Sequence, residues 1–306
     1  MILDTMRMRY FTRIAQLGSL TRASGELGVA QPALSLHMRT LEEQLGTQLL
    51  NRTSRGVTLT EAGETLLSHT EPILRAIAQA EHATREQAEF PTGEVVLGIL
   101  GSLSPALGIP ILEECRRRFP RIQLMVSEGD SQTLKSALEN RSFDLAVTLG
   151  DVAKPSATPL FEEALYVVGP PGYFDKSLET MSLSEALALP LILPSQRHGI
   201  RIILERSAAM LGLSLNIAWV IEGVESSKAA IRSGFGLSIL GRGAIHADTV
   251  AGQLSSVKIA AADASRFLVL DMPTNHPPTR AVMEVRKIVV ETVVALGRRG
   301  HWTAMV

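Results

Sequence analysis

The chain is poor in cysteine, in aromatic residues and in long apolar runs. Its single cysteine, Cys115, has no internal disulfide partner, and a lone cysteine between Glu114 and Arg116 reads as a small helical residue. Aromatic side chains make up only 4% of 306 residues while 45% are hydrophobic, which favours aliphatic α/β cores over an aromatic-rich β-sandwich. No run of about 18 apolar residues occurs, so no membrane span is expected. The opening stretch, MILDTMRMRYFTRI, interrupts its apolar positions with arginines and an acid, unlike a secretory leader. A reducing, cytoplasmic setting follows as an expectation. Seven histidines show no metal-ligand spacing, and no nucleophile elbow accompanies them. The glycines of GFGLSILG precede a strand-like run instead of a helix, so they do not make a nucleotide fingerprint. Neither catalysis, a bound metal nor a cofactor is expected.

What is present is unevenly charged. Residues 1–60 carry seven arginines against one aspartate and three glutamates, a net +3. Residues 61–90 carry two arginines against six glutamates, a net −4. The rest balances, so the overall charge of −1 hides a basic head joined to an acidic segment. A modestly basic head is compatible with DNA but does not establish it.

The head has the rhythm of three short helices. Met6, Tyr10, Ile14 and Leu17 share a helical face and Gly18 ends that run. Ser19 is placed to cap a second helix bearing Leu20, Ala23 and Leu27, and Gly28 supplies the next turn. Gln31-Pro32 opens a third, in which Leu34, Met38, Leu41 and Leu45 form a buried stripe. Gln31, Ser35 and Arg39 lie on another face, and Leu36 projects near the middle. NRTSRGVTLT then reads as a two-stranded wing turning at Arg55-Gly56, with Thr60 capping a long helix. Helix-turn-helix spacing puts the third helix in the major groove of DNA, although a plain three-helix domain would share it.

The pieces GSLTRAS, AQPALS, LEEQLGTQLLNRT and VTLTEAG, in this order and spacing, resemble the N-terminus of LysR-type transcriptional regulators. Within that family the head looks most like the nitrogen-assimilation-control branch. The resemblance implies a multi-domain protein: a winged helix-turn-helix domain over 1–60 (helix-turn-helix core 20–39) and a linker and dimerisation helix over 61–90. An α/β effector-binding domain, built like periplasmic solute-binding proteins, would follow over 93–306. It further implies that Gln31, Pro32 and Ser35 face base edges and that Arg52 reaches the minor groove. The chemistry agrees, since Gln bonds adenine in a bidentate manner and Ser is a short donor or acceptor. Arg52 and Arg55 suit phosphates or a narrow minor groove, while Arg39 and Thr53 suit the DNA backbone. Leu36 stands where many relatives carry Arg or Gln. Two readings remain open for it, packing on a thymine methyl and a tolerated surface leucine.

In the linker helix Leu66, Thr70, Ile73, Ile77 and Ala80 alternate by four and three, widened by Leu67 and Leu74. That is the spacing of a helix–helix seam, and a homodimer would bury it. Pro72 interrupts the pattern, either as a bend that sets head spacing or as an irregularity absorbed by packing.

From Gly93 the pattern turns to alternating strands and helices. It predicts two α/β subdomains, I over 93–165 and 270–306 and II over 166–269, with crossings near 164–169 and 266–272. FPRIQL and SFDLAVTLG carry the family resemblance into this half. A ligand would lie between the lobes where helix N-termini converge, near Ser102, Ser104, Ser131, Ser195, Gln196, His198 and Ser226. Arg197 and Arg201 accompany them. Serine hydroxyls and helix amides suit a small anion, whereas Glu225 at the same mouth would oppose an anion or hold an amine. Each serine also has the ordinary reading of an N-cap. The resemblance implies a homodimer assembling to a homotetramer on promoter DNA, an effector that shifts its DNA bending, and contact with RNA polymerase. An enzyme and a transport solute-binding protein are the other classes weighed. The missing motifs oppose the first and the fused head opposes the second.

Overall fold

The computed structural model describes residues 3–53, 56–85, 91–150, 157–175, 177–260, 265–274, 277–299 and 302–305. The chain divides into two compact units, residues 1–87 and 88–306.

In the first unit, α1 (Thr5–Leu17), α2 (Leu20–Leu27) and α3 (Gln31–Leu45) precede a wing of β1 (Leu50–Thr53) and β2 (Gly56–Leu59) and a long α4 (Glu61–Arg85). Side-chain caps start the first two helices: Asp4 accepts from the Arg7 amide and Ser19 from the Arg22 amide. Gly18, Gly28 and Gly46 end α1, α2 and α3 with positive φ, a conformation other residues adopt only with strain. Phe11, Ile14, Ala23, Leu34, Met38, Leu41, Leu49 and Leu50 form the core. Met6, expected on the inward face of α1, is 45% exposed; Met8 is buried instead, with Tyr10 and Leu17 packing at the core's edge. Phe11 takes the central place, so the stripe is rotated from the one the spacing predicted.

The wing is tied to the helices through backbone. The Val57 amide donates to the Gly18 carbonyl at 2.9 Å, and antiparallel pairing sets Arg52 opposite Val57. Thr60 accepts from the Gly63 amide at 3.0 Å and donates to the Gln48 carbonyl at 2.7 Å, which starts α4 beside the base of β1. A Cβ on Gly63 would sit 2.2 Å from the Leu49 carbonyl oxygen. Gly63→Ala is therefore expected to destabilise this unit by about 1–3 kcal/mol, because backbone on both sides must move. A thermal midpoint equal to that of the unsubstituted chain would show that β1 shifts aside freely.

The first half of α4 turns part of the expected stripe onto its own unit. Leu66 and Leu67 pack onto the core of their own unit, and Thr70 is buried with its hydroxyl 3.2 Å from that of Thr12. Ile73 and Ala80 are exposed, with Leu74 and Ile77 half-buried beyond them. Helix continues on both sides of Pro72, whose missing N–H leaves one carbonyl of the preceding turn without its helical donor.

The second unit runs β3 (Gly93–Leu100), α5 (Ser104–Arg118), β4 (Ile122–Gly129), α6 (Ser131–Glu139), β5 (Leu145–Leu149) and β6 (Thr158–Gly169). It continues with β7 (Thr180–Met181), α7 (Leu183–Ala188), β8 (Leu191–Leu193), α8 (Gly199–Met210), β9 (Ile217–Val220) and α9 (Val224–Arg232). Then follow β10 (Ser238–Gly241), α10 (Arg242–Val250), β11 (Ser255–Ile259), β12 (Ser265–Asp271), α11 (Arg280–Arg298) and β13 (Thr303–Ala304). β3 pairs in parallel with both β4 and β5, and β12 lies antiparallel between β5 and β6.

β6 spans both lobes. Its first half, to Ala164, pairs with β12 and β13, and its second half, from Leu165, pairs with β10 and β11. It is thus the crossing expected near 164–169, and a continuous strand provides it. The return expected at 266–272 falls instead inside β12, which is paired throughout with strands of the first lobe. The chain therefore recrosses between β11 and β12. The first lobe is closed by α11 and by Trp302, whose ring stacks on Phe161 at 4.1 Å. In the second lobe α7 and α8 pack on β8 and β10. Cys115 is buried in α5, and burial pushes its thiol up, as suits an inert helical residue.

Candidate nucleic-acid interface and interlobe cleft

In the first unit the outward side of α3 is polar and accessible. Leu34, Met38 and Leu41 turn inward, whereas Gln31, Pro32, Leu36 and Arg39 are exposed and Ser35 is partly so. Leu36 is 64% exposed, the one large apolar group on that face. Arg39 is engaged in an exposed ion pair with Glu43 at 2.8 Å, one turn along. Arg52 projects from β1 and donates to the Ser35 hydroxyl at 2.7 Å. Two residues expected to have separate roles, one on the helix and one on the wing, are joined on one surface. Thr53 donates to the Gly56 carbonyl at 3.2 Å and holds the wing turn. Arg55 lies outside the described residues.

In the second unit a cleft of about 380 Å³ opens between the lobes. The first lobe contributes the loop after β3, the end of β4 and the start of α6; the second contributes His198 and the first turn of α9. Four of the expected residues line it: Ser102, Ser131, His198 and Ser226. Three do not. Ser104 faces back along α5 towards Gly108, Ser195 borders an adjoining depression with Arg197 and Asn140, and Gln196 is exposed away from both. Arg201 is buried and donates to Glu205 and to the Pro194 carbonyl, which makes it part of the framework of α8.

The strongest groups in the cleft were not expected from sequence. Arg266 lines it from β12 while being only 4% exposed. Its Nε donates to Glu163 at 2.6 Å and one Nη donates to Ser102 at 2.9 Å. Glu163, 1% exposed on β6, also accepts from the Gly243 amide at 2.6 Å, where α10 begins. This buried pair links the crossing strand, the return strand, the first-lobe loop and a second-lobe helix.

Four carboxylates complete the lining: Glu128, Asp130, Glu222 and Glu225. Asp130 is the N-cap of α6 and accepts from the Gln132 and Thr133 amides and the Thr133 hydroxyl. Burial pushes its carboxyl up, but those three donors outweigh burial and hold it below the ordinary value. Glu225 is 2.6 Å from Lys228, a buried cation that also holds Asp248. Burial pushes the His198 imidazole down, against the opposing pull of Asp130 and Glu222. Among the described residues, Ser131 Oγ and His198 Nδ1 at the cleft are buried without a hydrogen-bond partner. A site of this kind can orient a small polar molecule through several donors and acceptors at once.

Two family models match the chain. Residues 6–64 match the bacterial regulatory helix-turn-helix protein, lysR family, and residues 88–293 match the LysR substrate binding domain. The nitrogen assimilation regulatory protein nac of Escherichia coli K12 is 33% identical over 294 residues, covering 94% of this chain and 95% of its own length. The HTH-type transcriptional regulator BbuR of Bordetella bronchiseptica is 29% identical, covering 98% of this chain and 93% of its own. Among solved structures, full-length CbnR complexed with its target DNA shares the fold at a TM-score of 0.69 and 19% identity, covering 96% of this chain and 99% of that one.

Proposed function

Because this chain belongs to the LysR family of bacterial transcription regulators, we propose that it reads promoter DNA with α3 and the wing, and answers to a small molecule held in the interlobe cleft. It is a regulator and not an enzyme, as its relatives are. The observation that carries the DNA-binding assignment is the joined surface of α3 and β1. Gln31, Pro32 and Leu36 stand exposed beside an Arg52–Ser35 hydrogen bond, so a base-reading helix and a cationic wing face the same way.

In this reading Gln31, Pro32 and Ser35 meet base edges, and Leu36 packs on a thymine methyl. Arg52 leaves Ser35 for the minor groove on binding, which frees the hydroxyl for a base. Arg39, Thr53 and Arg55 hold the DNA backbone. The domains act as 1–60 for DNA, 61–90 for pairing and 93–306 for the effector. Pairing uses the exposed part of α4 around Ile73, Ile77 and Ala80. Dimers join into a tetramer through effector units, whose exposed apolar residues include Ile109 and Met125 in the first lobe and Trp219 and Val220 in the second. The tetramer bends DNA, and the effector shifts the population between two assemblies because it binds one of them better. Altered contact with RNA polymerase in the cytoplasm is the readout.

A gel-shift experiment with DNA from the promoter region beside the coding sequence tests the DNA reading. Retardation is expected, and failure to retard any fragment selected from the source genome would overturn it. Gln31→Ala and Ser35→Ala are expected to relax base preference at single positions. Arg55→Ala should weaken all sequences and lower the salt slope by about 1. Leu36→Ala should lose preference at a thymine; unchanged preference on every site variant would make Leu36 a bystander.

A further inference from the structure

Charge in the interlobe cleft is divided between committed and uncommitted groups, and the division points to a ligand class. Of the four lining carboxylates, Asp130 is taken up by three donors of α6 and Glu225 by Lys228. Glu128 has no ion pair among the described residues, and Glu222 accepts only a 3.3 Å bond from the Ser195 amide. These two are free to hold a cation. The donors divide likewise. Ser102 accepts from Arg266, which leaves its own hydroxyl proton to donate. Ser131 is 9% exposed with Oγ unpartnered, and α9 enters the cleft at Gly223 with no side-chain cap on its first-turn amides. A ligand that supplies an acceptor would meet these donors in place of solvent.

A plain anion would satisfy the hydroxyls and amides but would stand beside two uncommitted carboxylates. A plain amine would satisfy the carboxylates and leave Ser131 buried without a partner. One molecule carrying both groups satisfies both sets. Their arrangement is close-set: the Glu128 carboxylate lies 3.6 Å from where a Cβ of Gly101 would be, and Ser102 is the next residue. Acceptor and donor thus occupy neighbouring positions, as the ammonium and carboxylate of an α-amino acid do. Resting on the reading of this cleft as the effector site, we propose that the effector is a small zwitterion of the α-amino-acid kind. Ser102, Ser131 and the first-turn amides of α9 take its carboxylate, and Glu128 and Glu222 take its ammonium.

Isothermal titration of the full chain with each proteinogenic L-amino acid tests this, each compared with its deamino carboxylate and its decarboxylated amine. At least one amino acid is expected to bind, with both partial analogues weaker by about tenfold or more, the size of one lost charge-assisted hydrogen bond. Ser131→Ala should weaken that amino acid while leaving its amine analogue unchanged, and Glu128→Gln should weaken it while tightening the carboxylate analogue. Equal binding of the deamino carboxylate, or no binding by any amino acid, overturns the zwitterion. Retardation of promoter DNA alongside that result would leave the regulator reading standing. An amino acid that binds in the expected pattern without changing the DNA complex would uphold the ligand and remove its effector role.

Discussion

Arg266→Met is expected to destabilise the effector unit by about 3–5 kcal/mol, since it strips a buried carboxylate of its counter-charge. Glu163 would keep only the Gly243 amide, at 2.6 Å, in a site where it is 1% exposed. Against a typical total stability of about 5–15 kcal/mol this is a large fraction, and urea unfolding would show it as a lowered midpoint. Pairing it with Glu163→Gln should recover more than half of the loss. The glutamine keeps an acceptor for Gly243 and leaves no charge without a partner. A double variant as unstable as the sum of the two singles would show that the two residues do not act as a pair. The same pair has a functional side. Arg266 touches the cleft and, through Glu163, the strand that both lobes share, so a ligand that engages Arg266 acts directly on the joint between the lobes.

The double substitution Ile73→Glu and Ile77→Glu is expected to lower operator affinity by about 10²–10⁴-fold, the usual gain from linking two binding modules. Leu66, Leu67 and Thr70 hold α4 to its own core and remain untouched, so the head should keep its thermal midpoint. Ile73 is exposed, and charge there disturbs little unless another surface covers it. Sedimentation would report the loss of pairing and fluorescence anisotropy the loss of affinity. A variant that stays paired and binds with undiminished affinity would place the dimer contact elsewhere.

Several elements were legible without coordinates because their causes are local. Ser19, Gly18, Gly28 and the Gln31-Pro32 pair start and stop helices through hydrogen bonds and backbone preferences within one turn. Much of the strand and helix order of the effector half follows from hydrophobic period in the same way, although α7, α10 and β11 were not read from it. β6 escaped that reading because Glu162 and Glu163 interrupt its apolar run. Glu163 is tolerated there only because Arg266, 103 residues away, meets it.

The cleft divides along the same line. Ser102, Ser131, His198 and Ser226 could be named because they sit at helix starts, and helix starts are readable. Ser104 opens α5 but faces back along it, and Ser195 lies in the loop between β8 and α8 and borders the adjoining depression. Glu128, Glu222 and Arg266 look in sequence like any solvated charge, and nothing local marks them as neighbours of a common space.

The scarcity of cysteine, of aromatics and of apolar runs, together with local capping and period, was enough for three short helices and an aliphatic α/β half, and the LysR-like motifs of residues 1–60 made the first of these a helix-turn-helix head. Which face of α4 stays free, which carboxylates of the cleft are already spoken for, and that Arg266 joins the site were decided by tertiary structure alone. The reason is physical: caps and periods act over one turn of chain, whereas a charge acquires its partner, its burial and its purpose from groups that only folding brings within reach.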